Sequence, residues 1–188
     1  MKKQPERTSE TRSNFITAFF QLMKEKTIEK ITISEISAIA GYNRSTFYEY
    51  FNDVYDLLTY VEDDLLVYIN EMVITQIGKE NTDDYFVEMF EKLYSEKAEL
   101  LKILLANQNY IAFPYKLKQI MIPIFANKLE ISPDNEESLF KLDFYLSGII
   151  SVFSRWLSSE IPMSAERFAL LVKQIVDSVK RSNLFSSL

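Results

Sequence analysis

The chain has 188 residues, of which 47% are hydrophobic and 26% charged, and its formal net charge is −6. It contains neither cysteine nor histidine, which excludes a disulfide framework, a thiolate metal site and the commonest general base, zinc ligand and nucleophile activator. Three glycines and five prolines leave little room for β-turns, so the expected fold is all-α, with about nine helices.

Residues 1 to 8 read as a polar arm. Lys2, Lys3 and Arg7 would reach phosphate or a minor groove from such an arm, and the plain alternative is a disordered tail. The first helix is expected from Ser9 to Lys26, with Phe15, Ile16, Phe19, Phe20, Leu22 and Met23 as a wide apolar stripe. Residues 27–31 link it to the next helix, and Lys30 lies where its ammonium meets phosphate.

Thr32 is the expected N-cap of the second helix, and Glu35 stands where a capping box wants a carboxylate. Ile33, Ile36 and Ala40 recur at helical spacing. Gly41 ends this helix, at a position that favours positive φ. Asn43 caps a third helix from Arg44 to Phe51. Phe47 and Phe51 bury one face of it, and Arg44, Ser45, Tyr48 and Glu49 occupy the other. This is a helix–turn–helix with a donor-rich second helix, the arrangement that enters a DNA major groove. The bland reading is an ordinary helical hairpin.

A fourth helix is expected from Asp53 to about Gly78, capped by Asn52, and a polar break at 79–83 follows it. Two short helices come next, Asp83 to Tyr94 and Lys97 to Ala106. Residues 107–114 read as a loop, because Pro114 biases Phe113 away from helix. A helix from Tyr115 to Glu130 carries Pro123, which predicts a kink or a split. A turn at Ser132 to Asn135 leads to a helix from Glu136 to Ser159 that is apolar on two faces and so needs two partners. Gly148 in its middle costs about 1 kcal/mol against Ala unless something packs closely there. The last helix runs from Ala165 to Ser182. Two such helices from each of two subunits would form a four-helix bundle, a homodimer through the last two helices.

Residues 1–50 hold eight Lys or Arg and six Asp or Glu, while the remaining 138 residues hold 13 and 21. The basic excess thus falls on the helix–turn–helix, though weakly, so placed contacts and dimerisation must carry DNA binding. Arg44 and Ser45 lie where a recognition helix meets base edges, and Arg pairs bidentately with guanine. Tyr48 and Tyr50 can donate to phosphates, which fix register. Thr32 and Asn43 can do so from helix N-termini. The plain alternative for the tyrosines is core packing. No apolar run reaches the roughly 18–20 residues of a membrane span, and the N-terminus has no apolar signal core, so a cytoplasmic protein with no membrane partner is expected. No paired-carboxylate motif or Gly-rich phosphate loop is present, so neither an enzyme nor a cofactor is expected.

The stretch ITISEISAIAGYNRSTFYEYFNDVYDLL resembles the N-terminal DNA-binding signature of TetR/AcrR-type transcriptional regulators. The matching residues include Thr32, Ile33, Ile36, Ala40, Gly41, Asn43, Ser45, Thr46, Phe47, Tyr48, Phe51, Leu57 and Leu58. The specific likeness covers residues 10 to 60. Ser37 replaces the usual Ala. Tyr42 replaces a small aliphatic and offers either different packing or an extra contact. Val54 stands where the family often has a Lys on the DNA backbone. The resemblance implies a helix–turn–helix DNA-binding domain at 1–52 and a ligand-sensing and dimerisation domain at 53–188. It implies a ligand-responsive repressor acting as a homodimer on a palindromic operator of double-stranded DNA. Candidate DNA contacts are Lys30, Thr32, Tyr42, Asn43, Arg44, Ser45, Thr46, Tyr48 and Tyr50. The resemblance further implies an effector pocket among the later helices. With eleven Tyr and fourteen Phe in the chain, a small apolar or aromatic effector suits it. Tyr110, Phe113, Tyr145 and Trp156 are the candidate contacts, against the plain reading that the rings fill a core. The alternative function is a DNA-binding regulator controlled by a partner protein, with no small-molecule pocket.

Overall fold

The computed structural model describes residues 5–77, 82–106, 112–159 and 163–181. The described residues form α1 (Pro5–Met23), a 3-10 turn (Ile28–Lys30), α2 (Ile33–Ala40), α3 (Arg44–Tyr48), α4 (Val54–Ile77), α5 (Thr82–Leu105), α6 (Ala112–Lys128), α7 (Glu136–Leu157) and α8 (Ala165–Arg181), with no strand among them. The chain divides into two compact units, Met1–Leu65 and Leu66–Leu188, and the division falls inside α4.

In the first unit, α1 buries Phe15, Ala18, Phe19, Leu22 and Met23 at spacings of three and four, one stripe of a helix. Ile36 and Phe47 are fully buried with them. The helix begins at Pro5, whose missing N–H is harmless at a first helical position. It ends three residues before the expected Lys26. The third helix also stops early, at Tyr48. Beyond it the Glu49 and Tyr50 amides make tighter bonds to the Thr46 and Phe47 carbonyls, at 3.2 and 2.9 Å. Helix α4 is capped by Asp53 and not by Asn52: Asp53 Oδ1 accepts from the Asp56 amide at 2.8 Å. Asn52 instead donates its backbone and side-chain N–H groups to Asp56 Oδ2, at 2.8 and 2.9 Å.

The second unit departs further from the sequence reading. The two short helices expected at 83–106 are one helix, α5, which lowers the expected helix number. Ser95, Glu96 and Lys97 contain no residue that must break a helix, and the chain runs through them. Phe113, expected in a loop, lies inside α6 and is fully buried. Pro114 is the third residue of that helix, where a missing amide leaves no intrahelical bond unmade. Helix α6 also continues through Pro123 without splitting. Asn135 caps α7 by accepting from the Ser138 amide at 3.0 Å. The expected ends at Gly78 and Ser182 lie outside the described residues.

Rings fill the space among α5, α7 and α8. Trp156 lies 4.5 Å from Phe168 with the rings nearly parallel, 4.7 Å from Tyr94 and 5.7 Å from Phe90. Trp156 Nε1 donates to the Met163 carbonyl at 2.9 Å. Lys118 ties α6 to α7 through Asp143, at 2.9 Å, and Ser147 Oγ, at 3.2 Å. No described helix is long and apolar enough to cross a membrane.

The start of α2 has a pH signature. Thr32 and Glu35 form the reciprocal capping box, and Lys26 Nζ sits 2.6 Å from Glu35 Oε1. The Lys26 ammonium first, and the Thr32 hydroxyl and amide next, hold the Glu35 carboxyl down to about 2. A carboxyl lowered by folding stabilises the folded state above its unfolded value, here 4.5, and loses that contribution as pH falls toward 2. Glu35→Gln is therefore expected to be less stable than the parent at neutral pH, with the gap closing between about pH 4.5 and 2. Denaturant titrations across that range would overturn this if the gap stayed constant.

Candidate nucleic-acid interface

The helix–turn–helix is built by three local devices. The capping box fixes where α2 begins. The Thr32 hydroxyl accepts from the Glu35 amide at 3.3 Å and donates to Glu35 Oε2 at 2.9 Å, and Oε2 accepts from the Thr32 amide at 3.0 Å. Gly41, at φ 77°, then turns the chain in a conformation that side chains resist, while the Tyr42 amide bonds the Ser37 carbonyl at 2.9 Å. Asn43 opens α3: its Oδ1 accepts from the Thr46 amide at 2.9 Å and from the Thr46 and Ser45 hydroxyls at 3.0 and 2.5 Å.

Packing then fixes which face of α3 points out. Phe47 is fully buried, and its ring meets Phe15 edge-on at 5.3 Å and Phe51 at 5.5 Å. With Phe47 turned inward, Arg44, Ser45, Tyr48 and Glu49 are exposed; Tyr48 is 51% exposed. Ser45 and Thr46 both donate their hydroxyls to Asn43 Oδ1. Lys30 is exposed in the 3-10 turn, and Thr32 is exposed at the start of α2.

Tyr42 and Tyr50 flank α3 and are both half-buried. Their rings lie 5.2 and 6.2 Å from Phe15. The Tyr42 hydroxyl accepts from Asn14 Nδ2 at 3.3 Å, which leaves its own proton to donate. Both rings thus pack against the buried Phe15. Sequence reasoning missed Arg12, Asn14 and Tyr60. Arg12 Nη1 donates to the Tyr60 hydroxyl at 3.2 Å across 48 residues of sequence, and no local pattern marks such a pair. Ser37 is buried, and its Oγ has no hydrogen-bond partner among the described residues.

The candidate effector contacts lie in the second unit. Tyr110 lies outside the described residues. Phe113 is fully buried and Trp156 belongs to the ring cluster. Tyr145 is half-buried; burial, and then the Asp177 carboxylate, pushes its hydroxyl above the usual tyrosine range. None of these three lines the groove of about 340 Å³ between α4 and α5, which is lined by Tyr68, Glu71, Met72, Thr75, Glu88, Met89 and Lys92. Tyr68 is fixed at its edge. Its hydroxyl donates to Glu96 Oε2 at 2.6 Å and Lys97 Nζ lies 4.9 Å from its ring centre. Burial, with Glu96 adding, pushes that hydroxyl up to about 12.

A TetR-type family model described as a transcriptional regulator C-terminal region matches residues 80–178, more than half of the chain. A search of the curated proteins finds no match. Among solved structures, the fatty acid degradation regulator FadR from Bacillus halodurans is similar with a TM-score of 0.65 and 16% identity, covering 94% of this chain and 96% of that one. The TetR family repressor AlkX from Dietzia sp., implicated in biodegradation of n-alkanes, gives 0.58 and 13%, covering 98% and 99%. The dihydroxyacetone kinase operon activator DhaS gives 0.56 and 18%, covering 90% and 96%. At these identities the likeness concerns the fold.

Proposed function

Because the chain belongs to the TetR family of transcriptional regulators, we propose that it is a ligand-responsive repressor that binds a palindromic operator as a homodimer. The observation that carries the DNA-binding part is the geometry of α3: capped at Asn43, anchored by Phe47, with Arg44, Ser45 and Tyr48 outward. In this reading residues 1–52 bind DNA and residues 53–188 sense and dimerise, in the cytoplasm. Arg44 and Ser45 meet base edges, while Lys30, Thr32, Tyr42, Asn43, Thr46, Tyr48 and Tyr50 set the register on the sugar–phosphate backbone.

The dimer reading is supported by an apolar face that one subunit leaves open. Phe140 and Phe144, one turn apart on α7, are 75% and 80% exposed, and Val152 continues the stripe. Leu170, Leu171 and Ile175 do the same on α8. Gly148 lies on the same α7 stripe, and a Cβ built there meets nothing within 4 Å. An unopposed glycine on a greasy face suits close approach by a second helix. The effector reading is supported by the ring-rich interior of the second unit and by the printed roles of two similar structures, in fatty acid degradation and n-alkane biodegradation. A long-chain apolar molecule is the class we assign. The packed ring cluster at Trp156 favours a second reading, control by a partner protein without a ligand cavity.

Selection of double-stranded DNA from a random library should return a palindrome with half-sites about 34–36 Å apart or somewhat more. Arg44→Ala is expected to cost about 1–3 kcal/mol and to relax specificity at one position. Equal weakening at every position would mean a phosphate contact instead. Phe144→Glu is expected to shift the sedimenting species from dimer to monomer; an unchanged dimer would overturn the assigned face. Long-chain fatty acids or alkanes should raise the melting temperature and release the operator. No shift across a series of chain lengths would reject the assigned effector class.

A further inference from the structure

We propose that Arg12 is a positioning residue for DNA recognition: it locks Tyr50, just after the recognition helix, to Tyr60 on α4, and so sets the angle at which α3 is presented. The proposal rests on the DNA-binding reading above.

Three contacts carry it. Arg12 Nη1 donates to the Tyr60 hydroxyl at 3.2 Å. The same guanidinium lies 5.0 Å from the ring centre of Tyr60 and 5.8 Å from that of Tyr50, the range in which a ring attracts a cation. Tyr60 then meets Phe51 edge-on at 5.7 Å, and Phe51 meets Phe47 at 5.5 Å. The chain of contacts that starts at Arg12 therefore ends on the buried ring that orients the recognition helix.

The state of the guanidinium argues against a simple phosphate contact. Arg12 is half-buried, and its Nε is buried with no hydrogen-bond partner among the described residues. A cation kept for phosphate would keep its fork in solvent. Here the fork is turned onto two tyrosines, and one of its donors goes unused to hold that position. A planar guanidinium stacks flat against rings while its fixed fork donates sideways; an ammonium is a compact charge on a flexible stem and offers no such plane. Tyr50 also rests on Phe15 at 6.2 Å, so Arg12 closes a bracket whose other side is Tyr42, held to α1 by Asn14.

The test uses the operator that the wild-type chain selects from random DNA. Dissociation constants are measured for that operator and its single-base variants over a range of salt. The proteins are wild type, Arg12→Met, Arg12→Lys and Tyr60→Phe, each with and without Arg44→Ala. Arg12→Met is expected to weaken operator binding about tenfold, to leave the salt slope unchanged and to flatten the preference at the base pair that Arg44 reads. Arg12→Lys should behave like Arg12→Met. Tyr60→Phe keeps the ring packing and folds even where the Arg12 variants do not; it should weaken binding a few-fold in the same way. In the Arg44→Ala background the effect on base preference at that position should vanish, because there is no longer a base contact to orient. Rescue by Lys, or a salt slope smaller by about one, would mean a phosphate contact and overturn the proposal. Wild-type affinity in Arg12→Met and Tyr60→Phe, or an unchanged preference at the base pair that Arg44 reads, would overturn it too, with the DNA-binding reading intact. A wild-type chain that selects no operator overturns that reading and the proposal together, and does so before any variant is compared.

Discussion

The first unit depends on one ring. Phe15 is fully buried on α1 and meets Tyr42, Phe47 and Tyr50, which come before, within and after the recognition helix. A five-residue helix is far too short to hold itself. Its persistence comes from Asn43 at one end and from Phe15 beneath. Truncating a buried Phe to Ala costs about 3–5 kcal/mol in an ordinary core. Here the same ring also decides that Phe47 points in, and so that Arg44, Ser45 and Tyr48 point out. Stability and the identity of the exposed face are one interaction.

The second unit is held differently. Long helices bury apolar stripes against each other, and rings from α5, α7 and α8 stack around Trp156. Polar ties add to this packing, as at Lys118 with Asp143 and Tyr68 with Glu96. Such packing tolerates change in side-chain shape better than a turn that needs one glycine at one φ.

What was legible in the sequence was the local hydrogen bonding. Thr32 with Glu35, Gly41 and Asn43 act within three residues of themselves, and the chain shows each of them directly. The boundary errors came from signals that depend on position within a helix. Pro114 reads as a breaker until it is known to lie in a first turn, where its missing amide leaves no bond unmade. The supposed gap at Ser95 to Lys97 was a change of polarity on a helix face. The pairing of Arg12 with Tyr60 was not legible at all, because nothing near either residue marks a partner 48 positions away. Nor does hydropathy say which greasy residues stay outside: Phe140 and Phe144 look like core in the sequence and stand in solvent in the single chain.

Trp156 gives this molecule a property that its core packing alone does not announce. It is the chain's sole tryptophan. Its indole is stacked on Phe168, flanked by Tyr94 and Phe90, and tethered through Nε1 to the Met163 carbonyl in the connection between α7 and α8. One fluorophore thus samples three helices of the second unit, with no second indole to dilute its signal. A shift of α8 against α7 would change both the stacking and the hydrogen bond, the two influences that set indole emission. The protein carries its own optical gauge of this core, readable in solution without a label.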